Sequence, residues 1–141
     1  MKKNIFASLC MLALTTQNLN AQNLTVHVNG IIKGEGSIRA AVYDEQNYLT
    51  KVLQAKEVKA SDTSLTLVFE NVTPGKYCVI LYQDKNENKS LDYGNMGIPS
   101  EPFGFSGNDM PMGVPSFNDI AFEMKDDTEK NIGLFDLSHM F

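Results

Sequence analysis

Short segments in which apolar and polar residues alternate recur along this chain, and they constrain its fold more than any other feature. The alternation runs through residues 24–28, 37–43 and 65–69. A β-strand with one buried face repeats every two residues, whereas an amphipathic helix repeats about every 3.6 residues. Since no long stretch follows the helical period, the chain is predicted to be an all-β protein.

A strong turn signal precedes the most apolar segment of the chain. The tripeptide Thr-Pro-Gly at 73–75 combines a proline that presets one backbone dihedral with a glycine that permits a positive one. The run 76–82 is apolar on both faces and is predicted to be a central strand. Weaker patterns predict strands at 119–124 and 131–135. Residues 44–52 are predicted to form either a loop or a single helical turn.

Short strands separated by turns predict an antiparallel β-sandwich of about seven strands with one long ordered loop. A Pro-Gly turn ahead of an aromatic residue that packs inward, here Pro74-Gly75 before Tyr77, resembles the start of one strand in transthyretin-like and carboxypeptidase-regulatory-like sandwiches. The predicted organisation is a signal peptide at 1–21 and a single sandwich domain at 22–141.

The first 21 residues have the three parts of a secretory signal peptide. Lys2 and Lys3 give a positive start, residues 5–14 form a short apolar stretch, and the segment then turns polar and ends at Ala21. The apolar stretch is about half as long as the roughly 20 residues of a membrane-spanning helix. The alternative is a buried N-terminal helix, but no amphipathic pattern follows it. We expect a protein that does not span the membrane and is exported, either to the periplasm or by secretion to the cell surface or the medium.

The charge balance and the cysteine content limit the partners and the chemistry of the exported chain. The full chain has a net charge of -5, which argues against nucleic-acid binding by phosphate neutralisation. Removal of residues 1–21 would leave Cys78 as the single cysteine, so that no internal disulfide could form. Cys78 is either a small buried hydrophobe or, alternatively, a reactive thiol.

The segment after the central strand carries oxygen-bearing side chains at the spacing of a calcium-binding loop. Counted from Asp84, they stand at positions one, three, five and nine, and position eight is apolar, as in an EF-hand loop. A hard cation takes about six to eight oxygens, and position seven of the loop contributes its backbone carbonyl. The predicted Ca²⁺ ligands are Asp84, Asn86, Asn88, Ser90 and Asp92.

Two positions depart from the calcium-loop pattern. Position six is Lys89, where the pattern has glycine, and position twelve is Asn95, where it has a bidentate glutamate. Further ligands would come from Glu101, Asp109 or Asp119. The alternative interpretation is a hairpin turn held by bonds from side chains to the backbone. With two carboxylates in the loop, we expect a dissociation constant of roughly 10⁻⁴–10⁻³ M.

Residues 84–118 show no strand or helix pattern, although they include several large apolar side chains. Long loops of this kind in compact domains are usually functional or disordered, and the apolar content favours an ordered one. Phe103, Phe105 and Phe117 either anchor the loop on the sandwich or line a concave surface for a glycan or a peptide.

Several motifs follow one another in a characteristic order. They are PGKY at 74–77, DKNENKSLD at 84–92, GIPSE at 97–101, GFS at 104–106 and PSFNDIAF at 115–122. This order resembles the bacterial domain-of-unknown-function family numbered 2141, over about residues 24–135. Members of that family typically have histidine before the first loop aspartate, where this chain has Gln83. The resemblance implies an exported sandwich domain and brings no established activity.

Residues suited to catalysis are sparse beyond the predicted signal peptide. His27 and His139 form no zinc-binding pair. No strand is predicted before Ser106, which also lacks the second glycine of a nucleophile elbow. We therefore expect a non-catalytic structural or interaction module with a protein or glycan partner in the cell envelope. The alternative is a small hydrolase or carbohydrate-active protein that uses carboxylates of the 84–119 loop. Two buried carboxylates that converge in a cleft would favour this alternative.

Overall fold

The computed structural model describes residues 21–110 and 112–140, which form two β-sheets around a shared core. The strands in chain order are β1 Gln22–Asn29, β2 Ser37–Asp44, β3 Gln54–Lys59, β4 Ser64–Val72, β5 Gly75–Asp84, β6 Phe103–Phe105, β7 Phe122–Met124 and β8 Thr128–Gly133. Two helical elements lie between the later strands, a 3₁₀ turn at Asn95–Gly97 and the short helix α1 at Phe117–Ile120.

The strands divide into a three-stranded and a five-stranded sheet. The smaller sheet has the order β4-β1-β8, and the larger one is built on β3-β2-β5. Both β6 and β7 pair with β5, β7 along its first residues and β6 nearer its end. The pairing of β1 with β8 is parallel, whereas the other strand pairs described are antiparallel. The prediction of an all-β sandwich is confirmed, with this one parallel pair inside it.

The core lies between the two sheets and is made of the alternating apolar residues of the strands. In β1, Leu24, Val26 and Val28 are fully buried, as the period-two pattern predicts. Burial of these side chains is the main favourable term in folding, since each removes apolar surface from water. The other strands contribute Ile38, Ala40, Val42, Leu67, Phe69, Tyr77, Val79, Leu81, Phe122, Met124 and Ile132.

A second apolar cluster lies on the outer face of the five-stranded sheet. The chain after β6 crosses this face, where Phe117 and Ile120 of α1 are buried together with Cys78 of β5. The Tyr48 hydroxyl donates a hydrogen bond of 2.7 Å to the carbonyl of Pro115, and its ring meets Phe117 edge to face. The long loop is therefore folded onto the sheet and covers part of its outer face.

The predicted strands with clear alternation or a continuous apolar run are confirmed, as β1, β2, β4 and β5. The sequence pattern does not predict β3, because five of its six positions are exposed and no apolar period marks it. The long loop contains β6 and α1, which its sequence does not predict either.

Two predicted boundaries are corrected by the structure. The strand predicted at 119–124 is wrong in its first half, because Asp119 and Ile120 belong to α1 and β7 begins only at Phe122. The strand predicted at 131–135 starts earlier and is β8, Thr128–Gly133. In both cases a short element starts at a position set by pairing with a distant strand.

The predicted signal peptide lies outside the described residues except for Ala21, and β1 begins at the next residue, Gln22. Within 21–110 and 112–140, no helix has the length and apolar character needed to cross a membrane.

Candidate functional site

Asp84, the first residue of the candidate calcium loop, ends β5 and is completely buried. One carboxylate oxygen accepts a hydrogen bond of 3.1 Å from the backbone N–H of Asn88, and the other accepts one of 2.8 Å from the N–H of Lys89. The Nε atom of Arg39 lies 3.2 Å from the second oxygen, as an ion pair without the alignment of a hydrogen bond. A buried carboxylate needs such partners because its desolvation is costly. Asp84 thus closes the loop onto the strand from which it starts.

The backbone of the loop turns sharply at two places where the chain has no glycine. Glu87 and Lys89 have φ angles of 56° and 66°. The calcium-loop pattern has glycine at the position of Lys89 because the chain must turn there. A residue with a Cβ costs about 1–2 kcal/mol in this conformation, and the hydrogen bond from its N–H to Asp84 helps to hold it. The lysine that departs from the pattern therefore still makes the turn.

Three of the predicted ligand side chains meet at one point of the loop. Nδ2 of Asn86 donates a hydrogen bond of 2.7 Å to one oxygen of Asp92. Nδ2 of Asn88 donates bonds of 2.8 and 2.9 Å to both oxygens of the same carboxylate. The N–H groups of both amides therefore face the carboxylate of Asp92. A half-turn rotation of either amide would present its oxygen there instead. Ser90 donates its backbone N–H to Oδ1 of Asn88 at 3.0 Å.

Glu101 is the second buried carboxylate, and it fastens both ends of the loop. It is 4% exposed, and its two oxygens accept hydrogen bonds of 2.9 and 3.1 Å from the backbone N–H groups of Lys85 and Asp92. All four oxygens of Asp84 and Glu101 therefore accept backbone N–H groups. These carboxylates are engaged in holding the loop, and neither lines the cleft described below.

The other two candidate ligands are engaged or placed elsewhere. Asp119 lies in α1, and one of its oxygens accepts bonds of 2.9 and 2.7 Å from the N–H and hydroxyl of Ser116. These bonds, the one from the hydroxyl first, lower the pKa of Asp119. Asp109 is exposed at the tip of the excursion. The structure therefore leaves the loop's own side chains as the oxygen donors.

The donor set of the loop suits a hard cation held weakly. The Asp92 carboxylate and the side-chain amides of Asn86 and Asn88 are the oxygen chemistry that Ca²⁺ accepts. Asp84 is already engaged by two backbone N–H groups. Arg39 beside Asp84 partly offsets the charge of that carboxylate. Over the described part of the chain, no three His, Cys, Asp or Glu side chains are grouped so that they could hold a metal ion. Any ion here would rely on the carboxylate of Asp92 together with amide and backbone oxygens.

Gln83 joins a neighbouring turn to the start of the loop. Its side chain is fully buried, and its Oε1 accepts a hydrogen bond of 2.9 Å from the N–H of Ile32. Its Nε2 donates bonds of 2.7 and 2.6 Å to the carbonyls of Ile32 and Glu35. At the place where the resemblance expects histidine, this chain therefore has a side chain that satisfies three backbone groups.

A cleft with a volume of about 480 Å³ lies on the outer face of the five-stranded sheet, beside the part covered by the long loop. Ala41, Ala55 and Ile80 form its floor, and Arg39 and Tyr43 stand on opposite sides of that floor. We call this cleft the outer trough. Sequence reasoning missed Arg39, although it is the only arginine in the chain and interrupts an apolar strand.

The aromatic residues of the long loop support its anchoring rather than a concave surface. Phe103 and Phe117 are buried, and Phe105 is partly buried. Phe103 packs against Phe105 and Phe135 with ring centroids 5.6 and 6.3 Å apart. None of the three phenylalanines lines the outer trough.

Cys78 is inaccessible beneath α1, with no exposed surface. Burial raises its pKa to about 12, because the thiolate would lose its hydration. At neutral pH the side chain is a thiol, so the structure supports the interpretation as a small buried hydrophobe.

Two facing sheets and an ordered loop rich in Asp and Asn define a small β-sandwich domain with one structured excursion. The chain belongs to the DUF2141 family, described as an uncharacterized protein conserved in bacteria, whose model matches residues 26–132. The resemblance predicted from the motif order is thereby confirmed. No curated protein and no solved structure matches the chain.

Proposed function

We propose that this protein is an exported, non-catalytic β-sandwich module whose 84–92 loop binds a calcium ion. It would serve as a structural or interaction domain in the periplasm or at the cell surface, with a protein or glycan partner. The observation that carries the calcium proposal is the convergence of Asn86 and Asn88 on the carboxylate of Asp92, at 2.7 and 2.8 Å. A cation there would replace the amide N–H groups as the partner of that carboxylate.

The backbone of the loop supports the same proposal. Lys89 makes the turn that the calcium-loop pattern assigns to glycine, with a φ of 66°. Asp84 and Glu101 hold the ends of the loop through backbone N–H groups, so that the loop is shaped before any ion arrives. A preshaped loop loses less conformational entropy when it binds.

The non-catalytic part of the proposal is supported by the engagement of the buried carboxylates. A general acid or a nucleophile needs a carboxylate within reach of a substrate. The oxygens of Asp84 and Glu101 accept backbone hydrogen bonds, and neither side chain lines the outer trough. These two buried carboxylates therefore do not provide the converging pair in a cleft that a carboxylate-dependent hydrolase would need.

The calcium proposal is tested by thermal unfolding with EDTA or with about 10 mM CaCl₂. If free calcium exceeds the dissociation constant about 100-fold, the native state gains about 2.7 kcal/mol, a rise of several degrees in Tm for a domain of this size. Asp92→Asn keeps the side-chain shape, removes one charged ligand and should abolish most of the rise. Asp84 is unsuitable for this test because it also pairs with Arg39.

The matched control is Asp126→Asn, which removes an exposed carboxylate between β7 and β8, beside the start of β5 and thus at the opposite end of that strand from the loop. It should keep the full calcium response. If calcium leaves the Tm of the unaltered protein unchanged, and calorimetric titration shows no heat of binding, the loop is a turn held by its own hydrogen bonds and the calcium proposal is wrong.

The export proposal rests on the first 21 residues and on the start of β1 at Gln22, directly after the predicted cleavage position. Expression of the full-length gene in a bacterial host, followed by mass measurement of the protein in the periplasmic fraction, tests it. The expected mass is that of a chain beginning at Gln22. An uncleaved protein in the cytoplasm would contradict the proposal.

A further inference from the structure

The outer trough is a product of strand register. Ala55, Ala41 and Ile80 are direct partners across β3, β2 and β5, and they form a floor that crosses the sheet. Strands lie about 4.8 Å apart, so the floor is about 10 Å long, and the rows of residues on either side stand about 13 Å apart along the strands. Two alanines between bulkier rows thus leave an open channel at right angles to the strands.

The first wall is the row Glu57, Arg39 and Tyr82, which are also direct partners across the three strands. An Nη of Arg39 donates a hydrogen bond of 2.7 Å to Glu57, and its Nε lies 3.2 Å from the buried Asp84. Two carboxylates therefore compensate the charge of this guanidinium. Its side chain remains 22% exposed and that of Glu57 49%, so that N–H donors and carboxylate lone pairs are left for a ligand.

The opposite wall is formed by Tyr43 and Val52. Burial raises the pKa of Tyr43, with a smaller contribution from Cys78, and burial is also the main cause of the raised pKa of Tyr82. Both hydroxyls are therefore protonated at neutral pH and can donate as well as accept hydrogen bonds. The trough combines an apolar floor, tyrosine rings and groups that offer both donors and acceptors.

We propose that the outer trough binds a neutral saccharide chain. A sugar ring presents an apolar C–H face, which the alanine and isoleucine floor would receive, and an edge of hydroxyls that both donate and accept. The paired Arg39 and Glu57 match neighbouring hydroxyls, because together they offer fixed donors and fixed acceptors.

The charges of the trough favour this ligand over an anionic one. The guanidinium of Arg39 is compensated by Glu57 and Asp84. The ammonium of Lys56 lies 5.9 Å from the centre of the Phe69 ring, which belongs to the core. Lys89 also lines the trough, but its side chain is exposed to solvent. The floor and the polar wall therefore carry no surplus positive charge that would select a carboxylate or a phosphate.

A peptide is also disfavoured by the direction of the trough. Peptides that add to a sheet bind along a free edge strand, where backbone N–H and C=O groups are unpaired. The middle of the trough floor is β2, which is paired on both sides by β3 and β5. A peptide lying across these strands would gain no backbone bonds from β2, whereas a saccharide needs only side-chain partners.

This inference deepens the interaction role proposed above, but it does not depend on the calcium loop. We would titrate the full-length protein with polygalacturonate and a pool of short peptides as comparison ligands. The test ligands are neutral hexasaccharides of β-linked glucose, α-linked glucose, xylose and N-acetylglucosamine. Amide chemical shifts would be followed by NMR, once in EDTA and once in calcium. We expect saturable shifts, with at least one of these sugars, at residues of β2, β3 and β5 that line the trough.

The blocking variant is Ala55→Leu, which fills the exposed end of the floor and leaves the core untouched. It should weaken sugar binding by at least about tenfold. The matched control, Thr66→Leu on the outer face of the other sheet, adds a similar side chain at an exposed position and should bind normally. Both variants should keep the native spectrum outside the substituted region.

Four results would overturn the proposal. The first is that no neutral sugar binds, and the second is that sugar binding is unchanged in Ala55→Leu. The third is that only polygalacturonate or the peptide pool binds. The fourth is that the protein self-associates and that Ala55→Leu abolishes this association. If sugars bind in EDTA and calcium does not raise the Tm, only the calcium proposal is contradicted. If calcium raises the Tm and no sugar binds, only the saccharide proposal is contradicted.

Discussion

The Nε atom of Arg39 lies 3.2 Å from a carboxylate oxygen of Asp84, across the pair formed by β2 and β5. Asp84 begins the Asp/Asn-rich loop, and Arg39 stands in the wall of the outer trough. This one ion pair therefore joins the two candidate sites of the molecule. It also gives a partner to a carboxylate that has no exposed surface.

Replacement of Arg39 tests how much the fold depends on this pair. Arg39→Ala would leave the Asp84 carboxylate buried without its cation, which we expect to cost about 3–5 kcal/mol. Glu57→Ala removes the exposed partner of the same guanidinium and should cost about 1 kcal/mol or less. Urea denaturation of the two variants measures both values. Equal losses in the two variants would contradict this account.

Gln83 offers a test of buried hydrogen bonding at the base of the loop. Gln83→Leu keeps a similar volume but removes the partner of the Ile32 N–H and of the Glu35 carbonyl. The carbonyl of Ile32 loses the shorter of its two hydrogen bonds. We expect a loss of about 2–3 kcal/mol, because unpaired buried polar groups are costly. Gln54→Leu, which removes one exposed bond to the carbonyl of Glu70, is the control and should cost less than about 1 kcal/mol. A milder effect at Gln83 than at Gln54 would refute the assignment.

Two glycines of the turn before β2 have positive φ angles but different surroundings. A Cβ at Gly36, where φ is 63°, would lie 1.9 Å from the carbonyl oxygen of Asp84. At Gly34, where φ is 86°, no atom lies within 4 Å. We expect Gly34→Ala to cost about 1 kcal/mol for its backbone conformation alone, and Gly36→Ala to cost several times more or to prevent folding. Thermal unfolding of both variants distinguishes conformational strain from the clash.

The buried thiol of Cys78 predicts a loss of stability in alkali. Its pKa is raised from 9.0 to about 12 by burial. A thiol with a raised pKa contributes stability that is complete below about pH 9 and is lost as the pH rises towards 12. The free energy of unfolding should therefore fall between pH 9 and 12. Burial also raises the pKa values of Tyr43 and Tyr48, whose ionisation adds to this loss.

The variant Cys78→Ala distinguishes the contribution of the thiol to the alkaline loss of stability from that of the tyrosines. The variant should show a smaller decline of unfolding free energy above pH 9 than the unaltered protein, although a small cavity lowers its stability at every pH. Labelling of Cys78 with a thiol reagent at pH 8 should require unfolding. Rapid labelling of the native protein would show that α1 does not cover the thiol.

The alternation of apolar residues by itself determined the strands that build the core. Leu24, Val26 and Val28 face inward because a strand turns every second side chain to the same side, and this property is local to the chain. The spacing of polar side chains from Asp84 onward also pointed to a structured loop, in which Asn86 and Asn88 meet Asp92. Its use as a calcium site stays a prediction. The order of motifs was sufficient to predict the family, and the match of the family model to residues 26–132 confirms that prediction.

Only the tertiary structure decided which distant residues became partners. The exposed strand β3, the parallel pairing of β1 with β8 and the row of Ala55, Ala41 and Ile80 depend on register between segments far apart in sequence. The pairing of Arg39 with Asp84 has the same origin. No local pattern encodes such contacts, because they are chosen by the packing of the whole core and by the need to compensate each buried polar group.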